Sequence, residues 1–189
     1  MNPNLKIIDT AYVLETDYSP EELWLNPSSL LMMSQNVRTA LEEYISNNYL
    51  IRDVEDAYND LKIELSEIDA EYRLAVDSTE DKTIVVADSA LKYLEKFGLN
   101  VICIDSDASQ KILADAEEMI STGNVSYIIT FKELADNENV TYMMENYPAL
   151  NKIELHRLDN ISDEERSNKE NYNTIMRANL ELIKKELYQ

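Results

Sequence analysis

Thr83-Ile-Val-Val-Ala87 and Asn100-Val-Ile-Cys-Ile104 are two short, β-branched apolar runs, and Ser89-Ala-Leu-Lys-Tyr-Leu-Glu-Lys-Phe97 lies between them. Continuous apolar runs of this length suit parallel strands covered by helices on both faces. The segment between them predicts an amphipathic helix with Ala90, Leu91, Leu94 and Phe97 on one side and Gly98 as its C-terminal stop. Val125-Ser-Tyr-Ile-Ile129 reads as a third strand. Strands alternating with helices imply right-handed crossovers and a small α/β layer.

Working outward toward the C-terminus, a helix is expected over 110–121, with Ile112, Leu113, Ala116 and Ile120 on its buried side, followed by a turn at Thr122-Gly-Asn124. Residues 131–146 hold another helix, broken near Asn137-Glu-Asn139. Lys152-Ile-Glu-Leu-His156 is a fourth, more exposed strand, 162–168 an acidic polar loop, and 172–187 a closing helix packed through Ile175, Met176, Leu180, Ile183 and Leu187.

Toward the N-terminus, Leu5-Lys-Ile-Ile-Asp9 reads as a short strand or strand end. Asn26 can cap a helix whose first residue is Pro27, and Leu30, Leu31, Met33, Val37 and Leu41 recur at helical spacing behind it. A second helix runs over 54–76 with Leu61, Leu65, Ile68, Tyr72 and Ala75 as its stripe. At roughly 20 residues it spans about 30 Å, enough to reach beyond one lobe. The polar break at 77–81 divides the chain into residues 1–81, a partial first-lobe segment with a long connecting helix, and residues 82–189, an α/β lobe. The fold class is thus α/β, a four-stranded, mainly parallel sheet with helices on both faces, preceded by a helical extension.

With 37 acidic against 17 basic residues in 189, the net charge of −20 repels phosphate backbones and argues against nucleic acid or anionic membrane as partner. It suits either a cation or simply a well-solvated surface. Cys103 stands alone inside an apolar strand, so no disulfide forms within the chain and the redox compartment stays open. No stretch approaches about 18 apolar residues, and the opening residues lack a charged segment followed by an apolar one, so neither a membrane span nor a signal peptide is expected.

Two glycines cannot write a dinucleotide fingerprint or a phosphate-binding P-loop, and neither a serine elbow nor a Cys/His ligand motif is present. These residues nominate no enzyme. Asp105-x-Asp-x-Ser109 alternates oxygen ligands as a calcium loop does, but Gln110 and Ala116 stand where that loop needs Gly and Glu, so a solvated strand-to-helix turn is the other reading. The Met32-Met33 pair reads as core filler or as soft-metal ligands. His156, close to Asp159 in sequence, is either a metal ligand or a polar residue at a strand edge.

Taken together, the motifs resemble the solute-binding proteins of bacterial zinc and manganese ABC importers, which bind metal between two α/β lobes joined by a long rigid helix. Asn2-Pro-Asn-Leu-Lys-Ile-Ile-Asp9 is similar to the segment leading to that family's central histidine motif, and Trp24-Leu-Asn-Pro27 to its Trp-Leu-Asp-Pro motif. Asp88-Ser-Ala-Leu-Lys-Tyr-Leu-Glu-Lys-Phe-Gly98 resembles the start of its second lobe, and Leu158-Asp159 with residues 172–187 its last ligand loop and terminal helix. The likeness covers nearly the whole chain but only the latter two thirds of a usual member.

The resemblance implies a noncatalytic binding module, partnered by an ABC permease or by another chain covering the incomplete first lobe. It also implies a cell-envelope or extracellular setting if the full protein carries an export signal. Its ligand positions fall on Glu22, where the family has histidine, on Asp88, and on Asp159, which matches the terminal aspartate; a further carboxylate position falls near Thr130. Glu22, Asp88 and Asp159 would make a hard oxygen site, favouring manganese, magnesium or calcium over tight zinc. A structural or interaction module that has lost metal binding is the alternative. The apolar stripe of Leu30, Leu31, Met33 and Val37 is expected to be covered by another chain or by rearrangement of the first two helices.

Overall fold

In the computed structural model, which describes residues 6–12, 14–132 and 134–188, four short strands form one parallel sheet. They are β1 (Thr83–Val86), β2 (Asn100–Cys103), β3 (Tyr127–Phe131) and β4 (Asn151–Leu155), in the order β2-β1-β3-β4. β1 pairs with β2 over four residues and β3 with β4 over five, whereas β1 and β3 match only at Val85↔Ile128 and Val86↔Ile129. Because successive side chains on a strand point to opposite faces, Ile84 and Val86 enter one core while Val85 enters the other.

Among the described residues seven α-helices accompany the sheet: α1 (Glu22–Leu25), α2 (Pro27–Tyr44), α3 (Asn48–Asp77), α4 (Gln110–Ser121), α5 (Glu138–Asn146), α6 (Asp163–Ser167) and α7 (Tyr172–Leu187). The larger core joins Leu25 of α1, Ile68, Tyr72 and Val76 of α3, and Met176, Leu180 and Ile183 of α7 to the strands. The Tyr72 hydroxyl donates to the Met176 carbonyl at 3.0 Å, so this buried polar atom is satisfied. The opposite core rests on Ala116 and Ile120 of α4 and Val140 and Met143 of α5. Ile112, expected on the buried side of α4, is partly exposed.

Ser89–Phe97 is a 3-10 helix rather than the expected α-helix. Its buried residues Leu91, Leu94 and Phe97 are spaced by three, the period at which 3-10 side chains align on one face. Gly98 stops it with φ of 97°, a left-handed conformation that glycine adopts without steric cost.

β3 lies two residues later than expected, since the Val125 amide bonds the Met119 carbonyl and the Ser126 amide bonds Glu186. The helix expected from 131 begins only at Glu138: Phe131 still belongs to β3, and the Asn137 side chain caps α5 by accepting the Val140 amide at 3.0 Å. No strand forms over residues 6–9, and Leu5 lies outside the described residues.

α3 starts six residues earlier than expected because Asn47 caps it, and at 30 residues it is about 45 Å long. Only its C-terminal half meets the sheet. Its N-terminal half pairs with α2 as a projecting hairpin arm in which no residue from 28 to 64 is buried. α2 and α3 therefore cover one another only in part, and Val37 and Leu41 keep 41% and 43% of their surface exposed.

Candidate metal site

Asn26 caps α2 through the Ser28 amide at 3.1 Å, and its Oδ1 also accepts from Lys96 Nζ at 2.7 Å. Pro27 occupies the first helical turn, where its missing N–H costs nothing. Leu25 enters the core, and the Trp24 indole donates to the Arg157 carbonyl at 3.1 Å. The Trp-Leu-Asn-Pro motif thus ties the start of the helical extension to the loop after β4.

Just ahead of this motif, Glu22 is buried. Its carboxylate accepts the backbone amides of Asp17 at 3.1 Å, of Tyr18, and of Ser19 at 2.7 Å. Three backbone donors converge on one carboxylate, so most of its lone pairs are taken up by the turn over residues 17–19. Neighbouring Glu21 pairs with the Arg157 guanidinium and accepts the Ser19 hydroxyl at 2.5 Å. The Ser19 hydroxyl, with Arg157 as a lesser cause, holds the Glu21 carboxyl below its ordinary pKa.

Asp159 sits on the loop that this motif grips. Its Oδ2 lies 3.4 Å from Arg157 Nη1. Leu158 before it has φ of 62°, a left-handed conformation closed by its amide donating to His156 Nδ1 at 2.8 Å. With Nδ1 as acceptor, the proton belongs on Nε2, which faces Glu165 Oε1 at 3.1 Å. The His156 main chain is bracketed by Asn179, which accepts from its amide and donates to its carbonyl. His156 is a pin for the loop, with both ring nitrogens in use.

Asp88 caps the 3-10 helix through the Ala90 amide at 2.8 Å. It opens onto a cleft of about 330 Å³ with Ser89, Asp105, Asp107, Thr130 and Asp136. This cleft lies beyond the carboxyl ends of β1, β2 and β3, where strand order reverses and ligands of open α/β sheets bind. Thr130 is buried inside β3 rather than following it, and its hydroxyl reaches the Ile153 carbonyl at 3.4 Å. Within the Asp105-x-Asp-x-Ser109 turn, Asp105 accepts the Asp107 amide and Ser109 caps α4.

Glu22 and Asp159 do not line the cleft that holds Asp88. Among the described residues, no three His, Cys, Asp or Glu side chains stand together as a metal-holding group. What joins Glu21, the neighbour of the first candidate position, to Asp159, the last, is Arg157, to which sequence reasoning assigned no role; its place two residues before Asp159 was the available signal. Asn137 was likewise missed: its amide donates to the carbonyls of Ala87 and Ile104, both at 3.1 Å, fastening the ends of neighbouring strands.

A parallel four-stranded sheet thus receives the long helix α3 on one face, and the tryptophan motif is clasped to the loop after β4. The model of the family described as ZnuA, zinc-uptake complex component A, periplasmic, matches residues 8–186, and the chain belongs to that family. The zinc-binding protein AdcA of Streptococcus pyogenes serotype M1 is 25% identical over 169 residues, covering 86% of this chain and 32% of AdcA. The chain therefore spans about a third of the length of the curated relatives it matches.

Solved structures share the fold, two of them as follows. The Zn(II)-bound ZnuA-like domain of Streptococcus pneumoniae AdcA superposes with a TM-score of 0.71 at 19% identity, over 97% of this chain and 71% of that one. The metal-dependent lipoprotein YcdH from Bacillus subtilis gives 0.74 at 20% identity, over 96% and 70%.

Proposed function

We propose that the chain is a noncatalytic solute-binding module of a metal-ion ABC importer, with a degenerate site that holds divalent cations weakly. Family membership supports the module. The observation that carries the degeneracy is the Glu22 carboxylate, already engaged by three backbone amides where the family resemblance places a ligand. Asp88 and Asp159 remain carboxylates that attract cations, yet attraction differs from a preorganised coordination shell. The permease partnership and the cell-envelope setting follow from the same resemblance. The relatives are zinc-binding by name, so zinc stands beside manganese, magnesium and calcium as a cargo to test, and nothing in those relatives favours the harder ions.

Calorimetric titration of demetallated protein with zinc, manganese and calcium, repeated on Asp159→Ala, tests this reading. Weak, nonselective binding is expected. Submicromolar zinc binding abolished by the substitution would overturn it. A second reading, an interaction module that has lost metal binding, is favoured by the arm without a buried residue between 28 and 64; wholly unchanged weak binding in Asp159→Ala supports it.

A further inference from the structure

We propose that the guanidinium of Arg157 is an internal cation that clamps the α1 motif to the loop after β4 and weakens the binding of divalent ions at Asp159. The proposal rests on the reading of Asp159 as a ligand position. Glu21, Glu22 and Asp159 bring three carboxylates to this seam. Backbone amides take up Glu22, which leaves Glu21 and Asp159 facing a single guanidinium.

A planar fork of five N–H donors can serve two carboxylates at once, and Arg157 does so: Nη2 meets Glu21 while Nη1 stands 3.4 Å from Asp159. The same residue's carbonyl accepts the Trp24 indole, so main chain and side chain both grip the α1 motif. Its Nε is buried with no hydrogen-bond partner, so the two carboxylates fix the guanidinium's position rather than full satisfaction of its donors. The left-handed turn at Leu158, closed by His156, sets Asp159 on the same side as this fork.

A divalent ion approaching Asp159 must displace the guanidinium or bind beside a full positive charge. Repulsion at that range weakens affinity by about tenfold or more. Removing the charge should release the site.

The test titrates demetallated wild type, Arg157→Gln, Arg157→Lys and the double variant Arg157→Gln/Asp159→Ala with manganese or zinc alone. Circular dichroism checks folding, and Arg157→Met, which keeps most of the stem's packing, replaces the Gln variant should that one not fold. Arg157→Gln should bind about tenfold or more tightly than wild type, Arg157→Lys should stay close to wild type, and the double variant should lose the gain. The proposal is overturned by equal affinities of wild type and Arg157→Gln, by an equal gain in Arg157→Lys, or by a gain that persists without Asp159. Tight wild-type zinc binding that depends on Asp159 would instead overturn the weak-site reading, and the comparison across Arg157 variants stays readable in that case.

Discussion

Cys103 lies buried at the end of β2, its Sγ 3.5 Å from Asp105 Oδ2, and burial pushes its thiol pKa up to about 12. The thiolate is the reactive form, so the folded protein should react with a thiol reagent at pH 8 far more slowly than the protein in denaturant. Because the folded state holds this proton more tightly, its contribution to stability is complete below about 9, the ordinary thiol value, and is lost as pH rises toward about 12. Chemical denaturation followed between pH 8 and pH 11 checks the sign. Burial of Cys103 was legible from its place in an apolar run. The engagement of Glu22 was not, since it depends on how the turn over 17–19 aims its amides, and no residue type in Asp17-Tyr-Ser19 encodes that direction.

α3 behaves as two elements in one helix. Ile68 is fully buried among strands and α7, whereas Val37, packed against the other half through α2, stays 41% exposed. Ile68→Ala should cost about 2–5 kcal/mol in denaturant unfolding and Val37→Ala about 0.5 kcal/mol or less. Comparable losses at both sites would show the arm to be covered in solution. Strand positions were readable from β-branched runs, and α4 and α7 from apolar periodicity. The 3-10 helix was not distinguished from an α-helix because Leu91, Leu94 and Phe97 satisfy either period over so few turns. The start of α5 escaped because Asn137 reads as a helix break until its side chain is seen to cap.

For the molecule as a whole, alternation of strand and helix was enough to specify an α/β lobe, while strand order and the meeting of distant loops depended on contacts such as Trp24 with Arg157, 133 residues apart. Among the described residues no helix is long and apolar enough to cross a membrane. The two-residue match between β1 and β3, beside the longer matches of the outer pairs, divides the sheet into two parallel strand pairs. One pair belongs wholly to the chain before the exposed turn at Gly123, the other wholly to the chain after it. The fold is therefore suited to split-protein reassembly: few ladder bonds cross the cut, while both apolar cores span it and would draw the halves together. Fragments 1–123 and 124–189, expressed together, should co-purify and recover the circular dichroism of the intact chain, and each alone should not.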